Sequence, residues 1–373
     1  MSGDLLLTGA TGFVGMEVLG RYLERTDRTI ITPIRARDDA AAAQRMTDTL
    51  HGLFGERARL YEDRVEALAA DLTAPRLGLS AARQAQVAGR VDQIIHSAAS
   101  VSFALELEEA RAINVAGTRR MLELAEMAQA RGGLSRYAQI STAYVSGTHA
   151  GRFRECDLTV GQSFRNSYEQ SKFESEQLVR DAGLPTTILR PSIVVGDRHS
   201  GWTNAFNVLY WPLRAFAMGV FKVFPAIPSA PVDVVSIDYV ADGIYAVCES
   251  GEGIGETFHL TASRHASNVG EITELASAYF KKPKPRVLAP EEFAEYAKTL
   301  DEGSSAMLAQ SAIYFPYFNI DTTFDNARSR ALLEPAGITP SPLEGYLGRL
   351  LDFATRTRWG KRPLSRVESL ALA

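Results

Sequence analysis

The sequence predicts an α/β protein with a doubly wound parallel sheet, on three observations. The first half alternates short apolar runs with longer helical stretches, a glycine-rich turn follows the first run, and the alternation stops after about Gly196. The runs that read as strands are Leu5 to Thr8, Thr29 to Ile34, Val65 to Ala69, Gln93 to His96, Tyr137 to Ser141 and Thr186 to Arg190. Between them, Val14 to Glu24, Ala40 to Phe54, Ser80 to Ala88, Glu108 to Ala130 and Tyr168 to Asp181 have helical composition. Pro33 removes a ladder donor inside the second strand, so regular pairing is expected to end near it.

Beyond Gly196 the chain grows rich in proline and aromatics, through Pro212, Phe224, Pro225, Pro228 and Pro231. Val232 to Ile237 and Thr257 to Thr261 look like strands returning to the first domain, with a helix around Tyr239 to Cys248 between them. The expected division is residues 1–198 with about 232–261 in the sheet domain, and about 199–231 with 262–373 in a smaller, mainly C-terminal domain. The apolar stretch from Asn207 through Trp211, Phe216, Val220, Phe221 and Phe224 is broken by Pro212, Arg214 and Lys222. A bilayer span needs about 20 mainly apolar residues, so a buried or pocket-lining helix is the reading, with no stable membrane insertion.

Composition narrows the function classes. A net charge of -4 with 46% hydrophobic residues carries no basic footprint for nucleic acid and no signature of disorder. The two cysteines, Cys156 and Cys248, lack metal or redox spacing, and the six histidines are scattered, so neither a metal site nor a disulfide is expected. Met1 runs directly into Leu5, Leu6 and Leu7 without a leader-like segment, which reads as cytoplasmic.

Gly9, Thr11, Gly12, Phe13, Val14 and Gly15 form the turn between the first strand and the first helix. Glycines in that position let the backbone approach a pyrophosphate, and the helix start supplies unpaired N–H groups and a positive dipole end, as in a Rossmann fold. An acidic residue about 20 residues further on marks NAD, whereas a cation there suits the 2′-phosphate of NADP. That position holds Arg35, with Arg37 and Arg45 close behind, so NADPH is the expected cofactor. Asp71-Leu72 and Ser97-Ala98-Ala99 follow the third and fourth strands at the ligand-binding edge. Asp71 either takes the adenine amino group or caps a turn.

Tyr168 and Lys172 stand four apart at a helix start and so share one face. A cation near a phenol is expected to lower its pKa and ready it for proton exchange with a carbonyl or alkoxide oxygen. Ser141 and Thr142 end the fifth strand, where a hydroxyl can bond that same oxygen. Glycine turn, strand-end hydroxyl and Tyr-x-x-x-Lys, in that order, resemble the extended short-chain dehydrogenase/reductase family over nearly the whole chain. The segments Leu6 to Gly15, His96 to Val101, Asn114 to Thr118, Ser141 to Val145, Asn166 to Lys172 and Leu189 to Ile193 are similar to its thioester reductase and fatty acyl-CoA reductase branch, the male-sterility-like NAD-binding domains. The resemblance implies NADPH, with arginine at Arg35. It makes Thr142, Tyr168 and Lys172 catalytic and puts Pro191 and Ser192 beside the nicotinamide.

The expected reaction is therefore NADPH-dependent reduction of an acyl thioester to aldehyde, with alcohol as a further product. With no adenylation or carrier domain ahead of Met1, the substrate is expected as a coenzyme A ester or on a carrier protein in trans. The aromatic stretch from Tyr210 to Phe224 either lines an acyl channel or is packed core. The competing readings are a ketone reductase or nucleotide-sugar epimerase using the same Tyr168 and Lys172, and a non-catalytic dinucleotide sensor. The acyl group and oligomeric state are not encoded in any motif.

Overall fold

A computed structural model describes residues 3–219, 223–300 and 312–372; Val220, Phe221 and Lys222 of the aromatic stretch lie outside the described residues. Seven parallel strands form the central sheet: β1 (Asp4–Thr8), β2 (Ile30–Ile34), β3 (Val65–Ala69), β4 (Val91–His96), β5 (Arg136–Ile140), β6 (Thr186–Pro191) and β7 (Thr257–Leu260). Their spatial order is β7-β6-β5-β4-β1-β2-β3. Parallel strands covered by helices on both faces need apolar residues on both, and Leu5, Leu6, Leu7, Ile94 and Ile95 are all fully buried. The order reverses between β1 and β4, so their carboxyl ends open the crevice where such sheets bind ligands.

The first helices are α1 (Phe13–Arg25), α2 (Asp39–Phe54), α3 (Ala81–Ala88), α4 (Leu107–Arg131) and α5 (Ser167–Arg180). Asp38, Ser80 and Asn166 cap α2, α3 and α5 by accepting backbone amides of the first turn. Pro33 acts on one side of its strand only. Pairing of β2 with β1 ends at Ile31, while pairing with β3 continues past Pro33 to Ile34.

Val232 to Ile237, expected to return to the first domain, meets it at Ile193–Val195 and forms no strand of the seven-stranded sheet. Pro231–Val232 pairs antiparallel with Ser267–Asn268, and Val234–Ser236 pairs with Ile193–Val195, the extension of β6 beyond Ser192. The sheet edge beside β6 is filled instead by β7, which runs along Ile188 to Pro191. The expected helix follows at Ile237–Glu249.

A second core gathers the helices Tyr210–Ala217, Val269–Phe280 and Leu347–Arg356 around Ile193, Phe224, Tyr317, Phe318 and Phe324. Two buried carboxylates cross-link these elements, Glu155 between the C-terminal region and the sheet and Glu176 between α5 and β6. Glu155 accepts the amides of His259, Arg328 and Ser329 and the Ser329 hydroxyl. Glu176, on α5, receives both arms of Arg190 from β6, at 3.0 Å from Nε and 2.5 Å from Nη2, and neither side chain is exposed to solvent. Removing one partner of such a pair leaves an uncompensated charge in the interior. Arg190→Ala should therefore destabilise the protein by about 3–5 kcal/mol in urea denaturation, and replacing Arg190 and Glu176 together with methionine and leucine should recover most of it. A wild-type midpoint for Arg190→Ala would contradict this account.

Candidate active site

The crevice is closed at its floor by glycine. Gly9 has φ +75°, and a Cβ there would sit 2.8 Å from the Ala98 nitrogen; a Cβ on Gly15 would sit 2.1 Å from the Gly9 oxygen. Strand, turn and helix can approach this closely only without side chains. Gly12 caps α1 with no side-chain hydrogen bond, and the first turn of α1 has no acidic residue, so the positive end of the helix is left for an anion. Thr8 holds the two facing strand ends together. Its Oγ1 accepts the amides of Ser97 and Ala98, each at 3.1 Å, and meets His96 Nδ1 at 2.7 Å. With its acceptor sites taken, the hydroxyl donates to Nδ1, which puts the imidazole proton on Nε2. Burial, with the nearby Lys172 charge, drops the His96 pKa to about 3, so the ring is neutral.

Among the arginines, Arg45 donates to the Arg35 carbonyl at 2.5 Å and reaches Thr11 Oγ1 at 3.4 Å, joining the loop after β2 to the glycine turn. Arg35 is exposed beside it, whereas Arg37 pairs with Asp38 at the start of α2. Asp71 forms a turn, accepting the Thr73 amide and hydroxyl, and these bonds, with the charges of Arg35 and Arg120, hold its pKa below the usual value. The Leu72 carbonyl accepts from Arg120. Phe13 packs its ring 5.7 Å from Trp202, and Val14 packs against the same core.

Thr142, Tyr168 and Lys172 converge where β5 and β6 end. Lys172 is buried, its Nζ donating to the Ile140 carbonyl at 2.7 Å. Thr142 Oγ1 lies 3.5 Å from the Pro191 oxygen and accepts the Tyr144 amide at 3.3 Å. Ser192 continues from Pro191, its amide donating to Leu260. Ser141 points the other way, its hydroxyl donating to Glu176 at 2.9 Å, so Thr142 is the hydroxyl left facing Tyr168. The expected lowering of the phenol pKa is corrected. Burial pushes Tyr168 up to about 12; the Thr142 hydrogen bond works against this and the Glu169 charge works with it. The lysine ammonium is spent on a backbone carbonyl, and burial lowers its own pKa to about 8 despite the Glu176 carboxylate.

Several residues around Tyr168 were given no role from the sequence, although Asn114, Asn166 and Glu169 stand in the segments that carry the resemblance. Asn114 binds the loop after β4 at Ser100 and the α5 hydroxyl of Ser171. Glu169, fully buried, accepts from Tyr317 Oη at 2.7 Å, and Tyr317 in turn accepts from Asn166. Phe103 stacks on Tyr317 at 5.1 Å and lies 5.6 Å from Tyr168. Asn166 and Glu169 carried a legible helix-start pattern, whereas Tyr317 is 148 residues from its partner Glu169 and no local pattern marks it.

Lys172 gives a pH-dependent outcome. The unfolded chain keeps this proton to about pH 10.4, while the folded protein releases it near pH 8. Between those values the unfolded state binds more protons, so the group's contribution to stability rises with pH and is lost again as pH falls through 8. The stability of the native protein relative to Lys172→Met should therefore increase across that window in paired thermal melts, and a constant difference would contradict the burial of this ammonium.

Comparison with known proteins places the chain. Residues 7–244 match the family model described as male sterility protein, a class of NAD-binding domain. The isonitrile lipopeptide synthase of Streptomyces coeruleorubidus is 36% identical over 214 residues, which cover 57% of this chain and 14% of that protein. Fatty acyl-CoA reductase wat of Drosophila melanogaster is 26% identical over 277 residues, 65% of this chain and 53% of that protein. The crystal structure of the terminal R domain from the myxalamid PKS-NRPS biosynthetic pathway aligns with a TM-score of 0.85 and 26% identity, over 97% of this chain and 93% of that one. A seven-stranded doubly wound sheet, a glycine turn at its switch point and a matched family model running from β1 into the helix Ile237–Glu249 lead to one assignment: the chain belongs to the male sterility protein family of NAD-binding oxidoreductases.

Proposed function

We propose that this chain reduces an acyl thioester to an aldehyde with NADPH, and to the alcohol where a second round follows. The observation that carries this reading is the pairing of two neutral hydroxyls, Thr142 and Tyr168, at the carboxyl edge of the sheet with Lys172 behind them. The fly fatty acyl-CoA reductase and the R domain support a thioester substrate, presented on coenzyme A or on a carrier protein.

The glycine turn, the uncapped start of α1 and the exposed Arg35 beside Arg45 would hold the cofactor's phosphates, and Lys172, Pro191 and Ser192 would border its nicotinamide end. When bound, NADPH supplies a hydride to the thioester carbonyl carbon. Thr142 and Tyr168 hydrogen-bond the oxygen as it gains charge. A phenol whose pKa stands at about 12 is protonated throughout the working range, which suits an acid that gives a proton rather than a base that takes one. The carbon–sulfur bond then breaks, the carbonyl re-forms and the thiolate takes up one proton. One thioester, one NADPH and one proton thus become one aldehyde, one thiol and NADP.

Free thiol separates this reaction from ketone reduction and sugar epimerisation. With acyl-CoA esters the protein should release thiol in step with NADPH oxidation, one NADPH per thiol for aldehyde and two for alcohol. Tyr168→Phe should slow it about a hundredfold to ten-thousandfold with little change in NADPH affinity. Arg35→Ala should weaken NADPH about tenfold or more and leave NADH little changed. Thioesters left intact while a ketone or nucleotide sugar is turned over would overturn the proposal.

A further inference from the structure

An apolar cavity of ≈ 50 Å³ lies in the second core, lined by Leu209, Leu213, Phe216, Ile272, Ala276 and Phe318 among others. Thr273 also lines it, but its hydroxyl donates to the Val269 carbonyl of its own helix at 2.7 Å, so it offers water little hold. A row of half-buried rings leads there from Tyr168: Phe103 lies 5.6 Å from Tyr168, Tyr314 5.7 Å from Phe103, and Trp211 stacks 6.4 Å from Tyr314. Trp211 adjoins Pro212 and Leu213 of the cavity wall. Tyr317, stacked on Phe103 at 5.1 Å, adjoins the cavity's Phe318. Large rings left partly exposed in a row suit the wall of a groove, whereas core rings are closed off.

We propose that groove and cavity together form the acyl subsite of this enzyme, with the acyl chain lying along Phe103, Tyr314 and Trp211 and its alkyl end entering the cavity. The inference rests on the thioester reading above and adds which acyl groups fit. The cavity is about a third of the ~150 Å³ that admits benzene in an apolar core, so it takes the end of an alkyl chain and excludes an aromatic ring. A terminal carboxylate or ammonium finds no counter-charge among the described lining residues and is excluded by the cost of burying it.

The test is a ladder of straight-chain acyl-CoA esters from acetyl to dodecanoyl, with each protein variant normalised to its own acetyl kcat/KM. In the unmutated protein kcat/KM should climb about fourfold for each methylene that enters the subsite and then level off. Ala276→Leu, which narrows the cavity, should move the plateau to shorter chains, and Phe216→Ala, which widens it, to longer ones. Esters with a terminal carboxylate should fall at least tenfold below the alkyl ester of equal length. A flat ladder in the unmutated protein, or plateaus unmoved in both variants, would overturn the subsite. Free decanoate titrated against tryptophan fluorescence reads the same cavity without turnover. Decanoate binding weakened by Ala276→Leu in a protein that reduces no thioester would support the subsite and remove the reduction reading instead, whereas no saturable decanoate binding alongside a flat ladder would remove the subsite alone.

Discussion

Behind the crevice stands a carboxylate with no access to water, Glu176, and the geometry of the site follows from how it is satisfied. One oxygen takes Nε of Arg190 and the hydroxyl of Ser141, and the other takes Nη2 of Arg190 and an arm of Arg180. The guanidinium is held in turn by the Asp157 carbonyl and by His259 Nε2, while His259 Nδ1 donates to the Asp325 carbonyl. His259 is thereby fixed in one neutral tautomer, its pKa driven well below the usual value by burial and by the Arg190 charge. Glu176, Lys172 and Tyr168 follow one another at four-residue intervals along α5, so anchoring the first sets the register of the other two. The same anchor turns Ser141 inward and leaves Thr142 at the crevice.

A buried ion pair is seldom the most stable way to fill a core, and its usual worth is in fixing one arrangement among several. Here it joins β5, β6 and α5, which carry Thr142, Pro191 and the Tyr168–Lys172 pair. Tyr317 and Glu169 make a second, smaller link between α5 and the C-terminal region. Through it the second core reaches the phenol, so substrate-side packing and the acid–base group share one set of contacts.

Elements that depend on local pattern were legible in the sequence. Parallel strands buried on both faces read as unbroken apolar runs, and the glycines at Gly9 and Gly15 mark close backbone approach that no other residue permits. The helix-start pattern placed Tyr168 and Lys172 on one face for the same reason. Properties set by long-range packing were not legible. Val232 to Ile237 is as strand-like as Thr257 to Leu260, and only the filled edge beside β6 sends it elsewhere. The phenol was expected to be acidified by Lys172, but the ammonium turns to Ile140 and burial then raises the phenol instead. Phe103 comes from a loop and Tyr317 from a short 3-10 helix, Ala312–Phe318, neither marked by periodicity, and the described part of the aromatic stretch after Asn207 divides between packed core and cavity wall in a way that only the fold resolves.

The central claim is that hydride reaches a thioester carbonyl carbon in this crevice while a neutral phenol attends the oxygen. It is tested most directly by running the reaction with NADPH carrying deuterium at the transferable position of nicotinamide C4 and analysing the products by mass spectrometry. The account predicts a deuterium on the former carbonyl carbon of the aldehyde, two on that of an alcohol, and both labelled products forming about a hundredfold or more slowly in Tyr168→Phe. Unlabelled carboxylic acid with released thiol would mean hydrolysis, and an intact thioester carrying deuterium at another carbon would place the hydride elsewhere; either result would contradict it.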